Sequence, residues 1–232
     1  MLYGVQGVGK STWASNAPDP IFLPTEEGVN DIDCDKFPVF KSYEEIMSGI
    51  EDLWKGGHDY KTAVLDTLDW MEQLVWKKTC EDNNKKDIEA FGYSKGYKKA
   101  LPLWREFLDA LDALRSDRGM AVILLAHSSI ERFESPETES FDRYMPRLNK
   151  HAAAIVQEWC DEVFFATYAV FTKVEEGSFK NVAKAFTDGT RIMRTTEKPT
   201  APAKNRLDLP DEMPLIYSEY AKYLTPDTKG NA

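Results

Sequence analysis

The sequence has 232 residues, of which 42% are hydrophobic and 12% aromatic, which is enough for one large core and excludes a wholly disordered chain. Its 39 acidic and 29 basic residues give a formal charge of −10, which argues against a generic polyanion-binding surface. Three widely spaced cysteines without a CxxC motif indicate neither a disulfide framework nor a zinc site and favour a reducing, cytosolic compartment. No apolar run reaches the roughly 18 residues of a membrane span, so no membrane partner is predicted.

Short apolar runs alternate with helical stretches, a pattern typical of an α/β fold with a mostly parallel central sheet flanked by helices. The predicted strands are Met1–Tyr3, Ile21–Leu23, Thr62–Leu65, Met120–Ala126 and Glu162–Tyr168. The fourth of these, MAVILLA, is apolar throughout, which predicts a central strand buried on both faces. Two later runs, 181–186 and 190–196, flank a Thr-Asp-Gly turn and predict an antiparallel hairpin at the C-terminal edge.

Two segments have the periodicity of amphipathic helices. Residues 42–55 begin with the capping residue Ser42 and present one apolar face, formed by Ile46, Ile50, Leu53 and Trp54. Residues 101–114 repeat the pattern at Leu101, Trp104, Leu108 and Leu111. Residues 80–100 and 128–150 match neither pattern, and the second is predicted to be a long charged loop of the kind that often carries function. We predict one domain over residues 1–224 and a flexible tail over 225–232.

The N-terminal stretch contains the phosphate-binding pattern G-x-x-x-x-G-K-[ST], from Gly4 to Ser11. Its glycines let backbone N–H groups turn inward around phosphate oxygens, while Lys10 reaches the β- and γ-phosphates and Ser11 binds Mg²⁺. The predicted nucleotide-binding residues are Gly4, Gln6, Gly7, Val8, Gly9, Lys10, Ser11 and Thr12. The alternative is a chance match in a glycine-rich turn. Because only three residues precede the loop, the short first strand suggests a truncated or unusual start.

Polar side chains follow three of the predicted strands. Asp66 ends the run TAVLD and is predicted to hold the magnesium ion, directly or through a water, because ligands bind at the carboxyl ends of parallel strands. Glu26 follows the second strand and is predicted to orient the attacking water, with Glu27 or a merely solvated acidic loop as alternatives. His127 follows MAVILLA as a candidate γ-phosphate sensor or a structural histidine. The predicted cofactors are ATP and Mg²⁺.

Several stretches, in their order along the chain, resemble phage-encoded RecA-like P-loop NTPases, an AAA-type group that includes single-strand-annealing recombination proteins. They include GVQGVGKST, IFLPTEEG, AVLDTLDWME, ILLAHSSIERFESPETESFDRYMPRLNK and AKNRLDLP. The resemblance runs from Gly4 to about Pro214 and implies a RecA-like ATPase core. It places the catalytic glutamate at Glu26 and the magnesium aspartate at Asp66. The family's sensor glutamine corresponds to His127, which is a departure from the pattern.

The resemblance also implies contacts outside the nucleotide site. It places a loop for single-stranded DNA at residues 128–150, where cations and aromatic rings alternate. The DNA-binding candidates are Arg132, Phe133, Arg143, Tyr144 and Arg147. Lys204 and Arg206 match an element that such motors insert into a neighbour's active site as catalytic cations, and an exposed basic turn is the alternative. The implied partners are further copies of the chain in a ring or filament and a single-strand-binding protein, in the host cytoplasm.

The predicted function is a DNA-stimulated ATPase that acts as an oligomer in phage DNA recombination or single-strand annealing. A DnaB-like helicase motor core would share the phosphate-binding loop, Asp66 and the cations at Lys204 and Arg206. A nucleotide-gated module that loads or recruits replication proteins is a second alternative, distinguished by turnover that single-stranded DNA does not change. A small-molecule kinase would need a lid-like cluster of arginines that the sequence does not contain.

Overall fold

The computed structural model describes residues 1–175 and 182–224, with side chains described outside residues 172–186. The predicted tail, residues 225–232, lies outside the described residues. Strands β1 to β11 are Leu2–Gly4, Pro20–Pro24, Asp35–Lys36, Thr62–Asp66, Ala121–Phe133, Phe141–Pro146, Phe164–Tyr168, Phe171–Glu175, Val182–Phe186, Arg191–Arg194 and Glu212–Pro214. Helices α1 to α7 are Lys10–Ala14, Tyr43–Lys55, Leu68–Asp82, Lys95–Lys99, Leu101–Arg118, Lys150–Trp159 and Tyr217–Ala221. A short 3₁₀ helix covers Ile88–Phe91.

Nine of the described strands form one sheet in the order β11-β10-β7-β1-β5-β4-β2-β3, with β6 paired to β5. The six strands from β7 to β3 in this order are parallel, whereas β10 and β11 are antiparallel to their neighbours. This confirms the predicted α/β class, with a mostly parallel sheet and antiparallel strands at the C-terminal side. The pairing within the predicted hairpin differs, because β9 pairs with β8 and β10 pairs with β7 and β11.

Two hydrophobic clusters cover the two faces of the sheet, and the short strand β1 contributes to both. Tyr3 is fully buried in the cluster beneath helices α2, α3, α5 and α6, where its ring lies 5.1 Å from that of Phe165. Leu2 points the opposite way, into a cluster that includes Trp13 and Tyr217. Because side chains alternate across a strand, three residues are enough to join β1 to both layers. Strand β1 is therefore anchored on both faces of the sheet although it has only three residues.

Strand β5 is central, as predicted, since it lies between β1 and β4. Its burial is incomplete, because Ala121 is exposed and only Leu124, Leu125 and Ala126 of this strand are fully buried. The prediction of a long loop after it is wrong: β5 continues to Phe133 and forms a hairpin with β6. Two of the charges that suggested a loop are paired across the strands, since Arg132 lies opposite Asp142 at 3.4 Å.

Helix α2 begins as predicted. The Ser42 hydroxyl accepts from the Glu45 N–H at 3.2 Å, and the Glu45 carboxylate accepts from the Lys41 N–H at 2.7 Å. Ile46, Ile50 and Leu53 are buried, whereas Trp54 is 46% exposed, so its assignment to the apolar face is wrong. On helix α5, three of the four predicted apolar residues are buried and Leu101 is half-buried. Among the described helices, none is both long and apolar enough to cross a bilayer.

A buried carboxylate ties helix α3 to the start of helix α6. Glu72 is 3% exposed, and its two oxygens accept from the Asn149 N–H at 3.0 and 2.9 Å. Burial raises the pKa of Glu72 to about 7, although the hydrogen bond from Asn149 opposes this rise and Asp69 adds to it. The folded state therefore favours protonated Glu72, and the unfolded chain releases that proton near pH 4.5.

We expect the free energy of unfolding to fall by roughly 3 kcal/mol between pH 4 and pH 8 through Glu72 alone, because its folded pKa lies above its unfolded pKa. The Glu72→Gln variant should lack this decline, which urea denaturation at several pH values measures. Glu81→Gln is the control, since Glu81 is an exposed glutamate on the same helix. An equal decline with pH in wild type and Glu72→Gln would contradict this assignment.

Candidate functional site

The loop from Gly4 to Lys10 joins β1 to α1 at the carboxyl edge of the sheet. Gly9 has φ of 101° and ψ of 29° at the start of α1, a left-handed conformation that glycine adopts without strain. A Cβ on Gly4 would lie 2.1 Å from the carbonyl oxygen of Ala166, so that position has no room for a side chain. Backbone geometry therefore demands glycine at two positions of the pattern.

Lys10 folds back over this loop. Its side chain is buried, and its Nζ donates to the carbonyl oxygens of Gly4 at 3.3 Å and Val5 at 3.2 Å. Burial lowers the pKa of Lys10, while the carboxylates of Asp66, Asp69 and Glu26 oppose that effect. A buried ammonium held only by carbonyl dipoles has a strong demand for an anion. The loop therefore places a cation where phosphate oxygens would enter.

Ser11 and Asp66 meet at the same edge, as the sequence predicted for one site. The Ser11 hydroxyl, on the first turn of α1, donates to Asp66 Oδ2, at the end of β4, at 2.6 Å. Burial raises the pKa of Asp66, and the hydrogen bond from Ser11 opposes the rise. A hydroxyl and a carboxylate are hard oxygen donors that suit Mg²⁺, which keeps several waters and takes few protein ligands. The described residues contain no cluster of three or more His, Cys, Asp or Glu side chains able to enclose a metal.

Glu26 is positioned by the ends of β2 and β4. Thr25 and Thr67 link these ends, because Thr25 Oγ1 donates to the Thr67 carbonyl at 2.7 Å and accepts from the Thr67 N–H at 2.8 Å. Thr67 Oγ1 in turn donates to Glu26 Oε1 at 3.0 Å. Glu27 is exposed and accepts from the Asn30 amide at 2.9 Å. Of the two predicted candidates, only Glu26 is held beside Asp66.

His127 is held by a residue that the sequence analysis missed. Asp69, on the first turn of α3, accepts from the His127 N–H at 2.9 Å and lies 3.0 Å from His127 Nδ1. Arg147 also donates to Asp69, through Nε at 3.2 Å and Nη2 at 2.5 Å. Burial alone would raise the pKa of Asp69, but the hydrogen bonds from His127 and Arg147 outweigh it and hold that pKa well below its usual range.

The cluster of Asp69, His127 and Arg147 lies next to the predicted water-activating carboxylate. His127 Nδ1 is 3.8 Å from Glu26 Oε1, and both side chains remain partly exposed. Asp69 only accepts hydrogen bonds when ionised, so His127 carries its proton on Nδ1 in this arrangement. The contacts with Asp69 therefore fix the orientation of the His127 ring beside Glu26. One sequence feature could have pointed to Asp69: it is a second aspartate, three residues after Asp66, near the start of helix α3.

Two of the predicted catalytic cations lie at the opposite edge of the sheet. Lys204 pairs with Val163, the residue before β7, while the loop leaves the other end of the neighbouring strand β1. The Lys204 ammonium donates to carbonyl oxygens at the end of α6, including those of Glu158 at 3.0 Å and Cys160 at 2.5 Å. It therefore serves as a helix cap in this chain. Arg206 is more exposed, and its Nη1 donates to Asp161 at 2.8 Å.

The predicted DNA-binding residues divide into exposed and enclosed groups. Arg132 and Phe133 are exposed on the β5–β6 hairpin. Arg143 is 8% exposed and lies over the Phe133 ring, and Tyr144 stacks on Phe165 at 4.8 Å. As a result, Arg143 is enclosed, whereas Tyr144 is half-buried with its ring stacked against Phe165. Arg147 belongs to the cluster around Asp69, so the structure connects it to the nucleotide site.

Comparison with known proteins identifies the family. The AAA domain family matches residues 1–207. The SPbeta prophage-derived uncharacterized protein YorG of Bacillus subtilis (strain 168) is 24% identical over 139 residues. That match covers 56% of this chain and 41% of the relative, so the chain spans well under half of that protein. The crystal structure of the RadB recombinase superposes with a TM-score of 0.44 and 10% identity, over 83% of this chain and 77% of that one.

We expect the Asp69→Asn substitution to lower the free energy of unfolding at pH 7 by roughly 2 kcal/mol, because it leaves His127 and Arg147 without their anion. The loss stays below that of a fully buried pair, since the Arg147 side chain is 53% exposed. The folded pKa of Asp69 is depressed, so its contribution persists above about pH 4 and is lost as the pH falls further. Urea denaturation at pH 7 and pH 3 measures both effects.

Asp82→Asn provides the control for this experiment. Asp82 ends the same helix and pairs with Lys78 on the surface, so its substitution should change stability by less than about 1 kcal/mol. Equal stability of Asp69→Asn and wild type at pH 7 would show that Asp69 does not hold the cluster together.

Proposed function

The chain belongs to the AAA domain family of P-loop NTPases, and on that basis we propose that it binds Mg-ATP and hydrolyses it. One observation carries the proposal: Lys10, the Ser11–Asp66 pair and Glu26 stand at the same edge of the sheet. These are the groups that phosphoryl transfer to water requires, namely a cation for the phosphates, metal ligands and a carboxylate for the nucleophile.

In this proposal each residue has a distinct role. Lys10 exchanges its two carbonyl partners for phosphate oxygens, and the loop N–H groups surround the same oxygens. Ser11 and Asp66 would hold Mg²⁺, which would supply the positive charge that neutralises the phosphate oxygens. Glu26 orients the attacking water and accepts its proton on the carboxylate. His127, fixed by Asp69, contacts the terminal phosphate and reports its presence to the β5–β6 hairpin.

We further propose that the protein acts on single-stranded DNA in phage recombination or annealing. The hairpin supports this, because it leaves the site at His127 and returns to it at Arg147. Ile130 and Phe133 are 64% and 38% exposed there, and Arg132 is exposed beside them. Apolar and aromatic side chains with a neighbouring cation suit base stacking and backbone contact. A prophage-derived relative fits the same setting.

The oligomer is part of the proposal, since Arg206 lies at the sheet edge opposite the loop and cannot reach the nucleotide of its own chain. Its ion pair with Asp161 is exposed, and such pairs contribute little to stability, so Arg206 can leave it for a neighbour's phosphates. Lys204 stays in place as the cap of α6. We therefore assign the cation that acts between subunits to Arg206 alone.

A nucleotide-gated recruitment module is the second candidate. Four glutamates at positions 131, 134, 137 and 139 lie exposed along the hairpin, and the net charge of the chain is −10. Such a surface repels DNA phosphates and suits a basic protein partner. In that case the same nucleotide site would control the hairpin, and single-stranded DNA would have no effect on turnover.

We expect ATP turnover per subunit to rise steeply with protein concentration, because each site needs a neighbour's cation. The Arg206→Ala variant should bind ATP with unchanged affinity and hydrolyse it roughly 1,000-fold more slowly. Lys10→Ala should lose binding itself, and Arg105→Ala, which removes an exposed arginine from α5, should match wild type. Turnover at the wild-type rate in Arg206→Ala would refute action between subunits.

The same assay with added single-stranded DNA separates the two candidate functions. Stimulation of turnover that weakens with increasing salt supports the DNA-dependent ATPase. Turnover that DNA leaves unchanged, at every protein concentration, would favour the recruitment module.

A further inference from the structure

Arg191 lies against the phosphate-binding loop from the side away from Asp66. It is the first residue of β10 and pairs with Tyr168 at the end of β7. Its guanidinium Nη1 stands 3.0 Å from the position that a Cβ on Gly9 would occupy. The arginine therefore covers the glycine that precedes Lys10, and the absence of a side chain on Gly9 makes this approach possible.

The charge of Arg191 has no carboxylate partner among the described residues. Most other arginines of the described chain have one, including Arg132, Arg143, Arg147, Arg194 and Arg206. Arg191 is exposed and borders a loop that is built to surround anions. A guanidinium forms paired hydrogen bonds with phosphate oxygens, so its position matches a phosphate ligand.

A cleft continues from this point away from the sheet. It has a volume of about 470 Å³ and runs between the loop, helix α1 and the C-terminal segment. Its lining includes Gly9, Thr12, Asn16, Arg191 and Tyr217. Pockets for small ligands typically start at about 300 Å³, so a ligand held by the loop can extend into this cleft past Arg191.

The order of the strands decides which part of the ligand Arg191 meets. Asp66 ends β4, Glu26 lies just after β2 and His127 lies within β5. These three strands are all on one side of β1. Arg191 is on β10, beyond β7 on the other side of β1. The groups suited to the terminal phosphate are thus separated from Arg191 by the loop itself. Arg191 is therefore placed to contact the α- and β-phosphates, which nucleoside diphosphates and triphosphates share.

We propose that Arg191 is a second cation of the nucleotide site, which acts within its own chain on the inner phosphates while Lys10 acts from inside the loop. This inference rests on the proposed function, because it concerns the same nucleotide. It separates two roles for arginine: Arg191 contributes to binding of both ADP and ATP, whereas Arg206 contributes to hydrolysis in a neighbouring subunit.

Equilibrium binding of Mg-ADP and Mg-ATP to the full chain, measured by calorimetry, tests the proposal. Arg191→Ala should raise the Kd of both nucleotides about tenfold, equivalent to about 1.4 kcal/mol. Arg191→Lys should recover part of the affinity because it keeps the charge, and the effect of Arg191→Ala should shrink with increasing salt. Arg105→Ala is the matched control and should bind as wild type does. Circular dichroism of each variant checks that it is folded.

The outcomes separate this inference from the proposed function. If wild type binds nucleotide and Arg191→Ala binds both nucleotides with the same Kd, the assignment of Arg191 is wrong and the nucleotide site stands. A loss limited to ATP would overturn the assignment to the inner phosphates. Failure of wild type to bind either nucleotide would defeat the proposed function and this inference with it.

Discussion

The hydrogen bond between Ser11 and Asp66 is the contact on which the site depends. It joins the first turn of α1 to the end of β4, two strands away from β1 in the sheet. This contact forms because parallel pairing fixes the relative positions of the strand ends: Gly4 lies opposite His127, and Asp66 lies opposite both Leu125 and Pro24. A shift of one residue in any of these pairs would turn a functional side chain to the other face of the sheet.

Charge balance shapes the same region. Asp66 and Asp69 are buried within a few residues of each other, and burial alone would favour their protonation. Asp69 is kept ionised by His127 and Arg147. Among the described residues, the side chain of Asp66 accepts its hydrogen bond from the neutral Ser11 hydroxyl, with Lys10 as a nearby cation. The negative charge of Asp69 is therefore balanced by its partners, whereas the region around Asp66 has less positive charge. A magnesium ion bound there would supply what is lacking.

Much of this arrangement could be predicted from local sequence. The loop pattern, the apolar strands and the polar residues at their ends are short-range features. The loop pattern was enough to predict the position of Lys10, and the strand ends predicted those of Asp66 and Glu26. Asp69 resembled an ordinary first-turn helix residue, since its partners come from β5 and from the end of β6. The same holds for Arg147 and Lys204, whose partners are fixed by tertiary contacts that a charge pattern does not reveal.

The dependence of ATP binding on magnesium tests the central claim most directly, namely that the loop and Asp66 serve one metal-bound nucleotide. ATP affinity is measured over a magnesium titration for wild type and for Asp66→Asn, which keeps the size of the side chain but removes its charge. The account predicts that magnesium strengthens binding to wild type and that most of this gain disappears in the variant. An equal gain in both proteins would contradict it, because Asp66 would then have no part in holding the metal with the nucleotide.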